Sequence, residues 1–203
     1  DFSQIESDRP QIEINQRFPL FFSELRPFFV EGAEIFDISA PVTLVHTRTI
    51  VDPDYGGKVS GQLGRFSVGA LAANDQAPGR VDSPEDPAFH QTAQTFIGRA
   101  RYDLYTESNI GAVFTDREFL DSHSRVLGMD GNFRLTPTIS GGVRAFGSSY
   151  KGLGEEQVGG HMLVAGIQES GRNWNWRLNA HEISREFDTD VGFVRRRDIR
   201  NVR

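Results

Sequence analysis

The first residues to weigh for chemistry are the five histidines, His46, His90, His123, His161 and His181, because imidazole works as acid, base or metal ligand near neutral pH. Their spacing contains no HxH, HExxH or HxxxH pattern. The chain has no cysteine, so a structural zinc site has little to use. Asp121, His123 and Ser124 supply the residue types of a hydrolytic triad. A triad is a matter of geometry and not of chain adjacency, and no GxSxG accompanies them. Glu155 with Glu156, and Asp52 with Asp54, would act as glycosidase carboxylates only if they faced each other across a cleft. Asp75, Asp82, Glu85 and Asp86 crowd one stretch with the hard oxygen ligands that suit Ca²⁺. Neither an EF-hand nor a nonapeptide pattern is present, and a solvated acidic loop is the expectation. These patterns point to no catalytic residue, no metal and no cofactor.

Two alternating runs carry more information. In 96–105, Phe96, Gly98, Ala100, Tyr102 and Leu104 are apolar or small, while Ile97, Arg99, Arg101, Asp103 and Tyr105 are mostly charged. In 173–181, Trp174, Trp176, Leu178 and Ala180 alternate with Asn173, Asn175, Arg177, Asn179 and His181. Side chains alternate faces along a strand, so each run predicts a strand with one apolar and one strongly polar face. The polar set Arg99, Arg101, Asp103, Asn175, Arg177, Asn179 and His181 is a candidate lumen lining. Inside a barrel, opposed charges pair across the interior and either plug it or set its selectivity. A purely structural salt-bridge lining is the alternative. Tyr102, Tyr105, Trp174 and Trp176 are candidates for an aromatic girdle at the membrane interfaces. A soluble protein would place the tryptophan pair in its core.

The elements that must position these residues follow regular punctuation. Strands are expected at 59–63 and 66–73 about a tight Gly64-Arg65 turn, then at 92–105 after a long loop, 74–91, carrying Pro78, Pro84 and Pro87. A short turn at 106–109 leads to a strand at 110–115, and a medium loop at 116–124 follows. Strands at 125–135 and 139–149 flank a turn at 136–138, and strands at 161–168 and 173–182 flank a turn at 169–172. Loops at 150–160 and 183–190 complete the series, and 191–194 starts another strand. Connections thus alternate short and long. An outer-membrane barrel has tight turns at one end and longer loops at the other, and strands of ~8–12 residues match the ~9–11 needed to cross tilted.

Register is open at 126–135 and 143–146, where Arg134 and Arg144 fall close to apolar positions. Upstream, 16–36 is dense in phenylalanine with Glu24, Arg26, Glu31 and Glu34 interleaved, and Pro19 and Pro27 exclude a regular helix across it. The stretch 41–51 reads as a strand. The expectation is therefore all-β: an antiparallel up-and-down meander over 41–203, part of a transmembrane outer-membrane β-barrel, with 1–40 as a plug-like segment. The rival is a soluble β-sandwich, acting as a carbohydrate-binding module, because sandwiches also alternate and also use hairpins.

Composition agrees. Of 203 residues only 37% are apolar, yet there are 21 glycines and 16 phenylalanines, which suits close-packed strands with an aromatic face better than a helical bundle. The net charge of −6 lacks the basic field of a nucleic-acid binder. No apolar run is long enough for a transmembrane helix, which says nothing against transmembrane strands, and no signal peptide is recognisable. A chain that begins at Asp1 and stops at Asn201-Val202-Arg203 reads as a mature or partial piece of something longer.

The opening block DFSQIESDRPQIEINQRFPLFFSELRPFFVEGAEIF and the later HTRTIV, TDREF (115–119), DGNFRL (130–135) and TDVGFVRR (189–196) carry a family resemblance. They resemble a bacterial outer-membrane β-barrel domain of unknown function that lies C-terminal to a domain similar to family-nine carbohydrate-binding modules. RPFFVEG and DVGFVRR are the more specific pieces, and the resemblance covers most of the chain. It implies a bacterial outer-membrane location, outer-membrane lipid as partner, and contact with other cell-envelope proteins or glycans through the other domain. It supplies no mechanism and no residue-level site. The carbohydrate-binding-like domain and a closing strand with a terminal aromatic are both missing from this sequence.

Overall fold

Period-two sequence carries eight long strands and a short ninth in the computed structural model, which describes residues 23–105 and 107–203. They are β1 (Pro53–Leu63), β2 (Phe66–Asp75), β3 (Ala93–Tyr105), β4 (Ser108–Phe119), β5 (Ser122–Arg134), β6 (Ile139–Lys151), β7 (Val158–Ser170), β8 (Asn175–Ile183) and β9 (Ile199–Val202). Each pairs antiparallel with the next in chain order, giving one sheet of nine strands. The protein is all-β, an antiparallel meander. The sheet stays open, with β1 and β9 at its two edges. Among the described residues no helix is long and apolar enough to cross a membrane.

Several boundaries depart from the sequence expectation. The predicted loop at 116–124 does not exist: β4 runs through Phe119, β5 resumes at Ser122, and Leu120 and Asp121 make a two-residue turn with Leu120 at φ +55°. Charge suggested a loop there, but Asp116, Glu118 and Arg125 are strand residues that pair with one another on one face. The short–long alternation of connections consequently fails at this turn. It survives at the end of the sheet that carries the β1–β2, β3–β4, β5–β6 and β7–β8 turns, all tight.

The stretches 41–51 and 191–194 are not sheet strands. They meet each other in a single bridge, Thr43 with Phe193. Their backbone groups are satisfied mutually, by Thr43 N–H on Phe193 O, Phe193 N–H on Thr43 O and His46 N–H on Val191 O. Thr47–Thr49 is a 3₁₀ turn. Farther upstream, Pro27 opens a single helical turn, Pro27–Val30, the one place a helix accepts proline. Residues 1–22 of the expected plug-like segment lie outside the described residues.

Residues 23–52 and the β8–β9 connection lie together against one face of the sheet. This covered face supplies Leu71, Ala73 and Ile97 to a cluster with Phe29, Phe36, Ile50 and Val191. It supplies Val113, Val126, Phe146, Met162 and Ile183 to a second cluster with Ile38, Val42, Leu44 and Phe187. Each large side chain fully buried contributes about 1.5–3 kcal/mol. Two glycines permit the close approach. A Cβ on Gly69 would stand 2.6 Å from Ile35 Cγ2, and one on Gly160 2.3 Å from the Phe187 nitrogen. Hydroxyls on the sheet fix the connection: Ser124 Oγ accepts from Asp190 N–H at 2.9 Å and Ser148 Oγ from Asp188 N–H at 3.3 Å.

Candidate functional site

Opposite the covered face lies a bare one, and its composition follows from the register. Val59, Ala70, Gly98, Phe114, Leu127, Gly147 and His161 succeed one another as cross-strand partners from β1 to β7. A second row runs Tyr102, Ile110, Gly131, Val143, Ala165, Ala180 and Val202. Between these rows the alternate positions are Ala100, Ala112, Met129, Ala145 and Leu163. On β1 to β7 the described residues of the belt include no Asp, Glu, Lys or Arg, and the middle row meets charge only at Glu182 and Arg200 on β8 and β9. Yet the belt is exposed, with Leu127 64% and Met129 62% accessible. A shallow trough of about 630 Å³ crosses it from Ile110 to Val202.

Charge begins abruptly at one rim of the belt. Arg125 bridges Asp116 and Glu118, and Lys151 reaches Asp121 at 3.4 Å. The Arg200–Glu182 pair, at 2.8 Å, lies inside the belt at its β8–β9 end. The four aromatic candidates gather at the other rim, by the tight turns. Tyr102 and Trp176 are on the bare face, with the Tyr102 ring 5.5 Å from that of Phe66. Tyr105 ends β3, and Trp174 stands in the turn before β8. Trp176 Nε1 donates to Glu169 at 2.5 Å.

The polar set sits on the covered face, below the apolar clusters. Arg99 makes a two-point pair with Asp130, at 2.5 and 3.0 Å. Both are nearly buried, Arg99 at 6% and Asp130 at 7% accessibility. Arg101 lies 3.4 Å from Asp103. Arg177, Asn179 and His181 share this face on β8, and Asn175 shares its parity at the exposed start of the strand. Ile97, which fell among the charged positions in sequence, lies in the apolar layer instead. Sequence reasoning missed Asp130, Asn132 and Arg144. Their signal was the i, i+2, i+4 spacing of Asp130, Asn132 and Arg134, which register across β5 and β6 turns into one polar patch with Arg144.

The residues that resembled catalytic groups are dispersed. His123 and Ser124 point to opposite faces: His123 Nε2 lies 3.2 Å from Ser149 Oγ, while Ser124 holds the β8–β9 connection. Asp75 is buried, accepting from Val51 and Asp52 N–H and facing Arg117 at 3.5 Å. Among the described residues no three histidine or carboxylate side chains converge as metal ligands.

The covering segment has electrostatics of its own. Burial would raise the Glu24 carboxyl. Hydrogen bonds from the Arg26 guanidinium and backbone, and from the Thr47 hydroxyl, outweigh it and hold the group at about 2. Burial pushes the His46 imidazole below its ordinary value, against the attraction of Glu24. Burial also lifts the Asp190 carboxyl, against the pull of Arg117. Comparison of the chain with protein-family models, curated proteins and solved structures gave no match. The functional reading therefore stands on the two faces of the sheet.

Proposed function

We propose that this chain is part of the wall of a bacterial outer-membrane β-barrel, a non-catalytic channel, anchor or scaffold at the cell surface. The observation that carries the reading is the exposed belt on β1 to β7, free of Asp, Glu, Lys and Arg among the described residues, with an ion pair, Glu182 and Arg200, entering it on β8 and β9. A soluble protein rarely leaves so wide an apolar surface in water. Here one rim is charged and the other aromatic, the arrangement expected of a surface that meets hydrocarbon between two interfaces. Strands β1 to β8 hold nine to thirteen residues, enough to cross tilted. The polar layer on the covered face would then look into the barrel interior, and residues 23–52 would fill one end of it as a plug. The sandwich alternative needs a second sheet, and the described strands form one. The family resemblance in 115–119, 130–135 and 189–196 leans the same way.

Cell fractionation of the full-length protein tests the proposal. Recovery in the outer-membrane pellet, resistant to carbonate extraction, is the expected result. Recovery in the soluble fraction without detergent would end the reading.

A further inference from the structure

On the covered face, four arginines of β3, β4 and β5 each have a carboxylate partner. Arg99 has Asp130, Arg101 has Asp103, Arg117 has Asp75 and Arg134 has Glu107. Lys58 donates to the carbonyls of Phe28 and Glu31. Arg144 and Arg177, like Lys58, have no carboxylate partner among the described residues, but unlike Lys58 they share one recess. Arg144 Nη2 donates to Asn132 Oδ1 at 2.9 Å, and Arg177 Nε donates to Gln168 Oε1 at 2.9 Å. Amide oxygens occupy single donors and leave both charges unneutralised. Arg144 Nε is buried without an acceptor.

Both guanidiniums line one recess of about 340 Å³, with Asn132, Gln168, Asn179 and Ser39 of the covering segment around them. Its floor is Gly142 and Gly166, cross-strand partners on β6 and β7. A Cβ on Gly142 would lie 3.2 Å from Arg144 Nη1, and one on Gly166 2.6 Å from Asn179 Oδ1. The glycine pair thus lets both side chains lie along the sheet. Among the described residues no carboxylate lines the recess. Its walls offer guanidinium forks, amide N–H₂ groups and serine hydroxyls.

We infer that this recess binds a small solute carrying a carboxylate or phosphate group. Guanidinium forks match planar oxyanions at two points and hold them by charge-assisted hydrogen bonds. Such bonds are stronger on a partly enclosed protein face than in water. The volume suits a small organic anion and not a polymer. The inference needs only the geometry of the covered face and not a bilayer. If the bare face meets lipid, the recess gives the enclosed side a preference for anions.

Isothermal titration of the full-length detergent-solubilised protein at low salt is the test, with citrate and inorganic phosphate as probes and glucose as the uncharged control. Binding of citrate or phosphate but not glucose is expected, and the stronger of the two assigns the group. Arg144→Gln combined with Arg177→Gln weakens it by about tenfold or more. Ser140→Asp keeps both guanidiniums and adds a carboxylate to the recess, and it weakens binding equally with an unchanged circular dichroism spectrum. Arg80→Gln, outside the recess, leaves it unaltered. Absence of binding by both anions, or binding undiminished in Ser140→Asp, overturns the inference. A protein that binds citrate yet stays out of the membrane fraction keeps the recess and loses the barrel.

Discussion

Arg99 and Asp130 show how one pair ties distant parts of the sheet. They belong to β3 and β5 and meet across β4, where a Cβ on Gly111 would stand 2.6 Å from the Arg99 guanidinium. Removing one member of a buried pair strands the other's charge and costs about 3–5 kcal/mol, whereas replacing both with apolar residues is often neutral. Asp130→Ala is therefore expected to destabilise the fold by about 3–5 kcal/mol, and Arg99→Met with Asp130→Leu to recover most of the loss. Urea unfolding of the refolded protein in detergent measures both. Nothing local in sequence links residues 99 and 130. Alternation placed Arg99 on a polar face, but the partner came from register two strands away.

Elements were legible where one face of a strand is uniform. β3 and β8 show clean alternation, and the structure puts their apolar sets on the bare face. β4 and β5 were harder, since Asp116, Glu118 and Arg125 end the belt with charge and so read as a loop. β6 and β7 were obscured for a different reason. Their covered faces carry Phe146 and Met162 in the core beside Arg144 and Gln168 in the polar layer, so neither face is purely polar. The bare face itself can be tested by charge. At an exposed strand position in water, Leu127→Arg would be close to neutral. Facing hydrocarbon near mid-belt, it should cost about 2–4 kcal/mol, with little effect from a charge change at the Arg125 rim. Folding titrations into lipid vesicles distinguish the two.

The covering segment responds to pH through three groups of known sign. Glu24 is held low, so its contribution to docking is full above about 4.5 and is lost as pH falls from there toward about 2. His46 is also lowered, so docking favours its neutral form and weakens as pH drops below about 6.5. Asp190 is raised and works in the opposite sense, favouring docking when protonated and opposing it as pH rises through its folded value. The histidine passes its ordinary value of 6.5 between pH 7 and 5. Amide exchange at 43–50, corrected for intrinsic rates, should lose protection over that interval, and His46→Gln should remove the change.

At the scale of the whole molecule, the open sheet presents unpaired backbone along β1 and β9 among the described residues. Unpaired N–H and C=O groups cost several kcal/mol each in hydrocarbon, so a bilayer requires both edges to be paired, by further strands or by another chain. The architecture as a meander was readable from hairpin punctuation. The layering of the covered face was not, because it depends on where 23–52 and the β8–β9 connection fold back, and their polar, proline-interrupted sequence does not reveal a docking partner.

The central claim is that the bare face meets lipid. The absence of native cysteine allows single nitroxide labels at Leu127→Cys and Ala145→Cys on the bare face, and at Gln168→Cys on the covered face, in the full-length protein reconstituted in vesicles. Labels at 127 and 145 should collide with oxygen far more than with a water-soluble nickel chelate, and the label at 168 should show the reverse. Equal access of the nickel chelate to 127 and 145 would contradict the account.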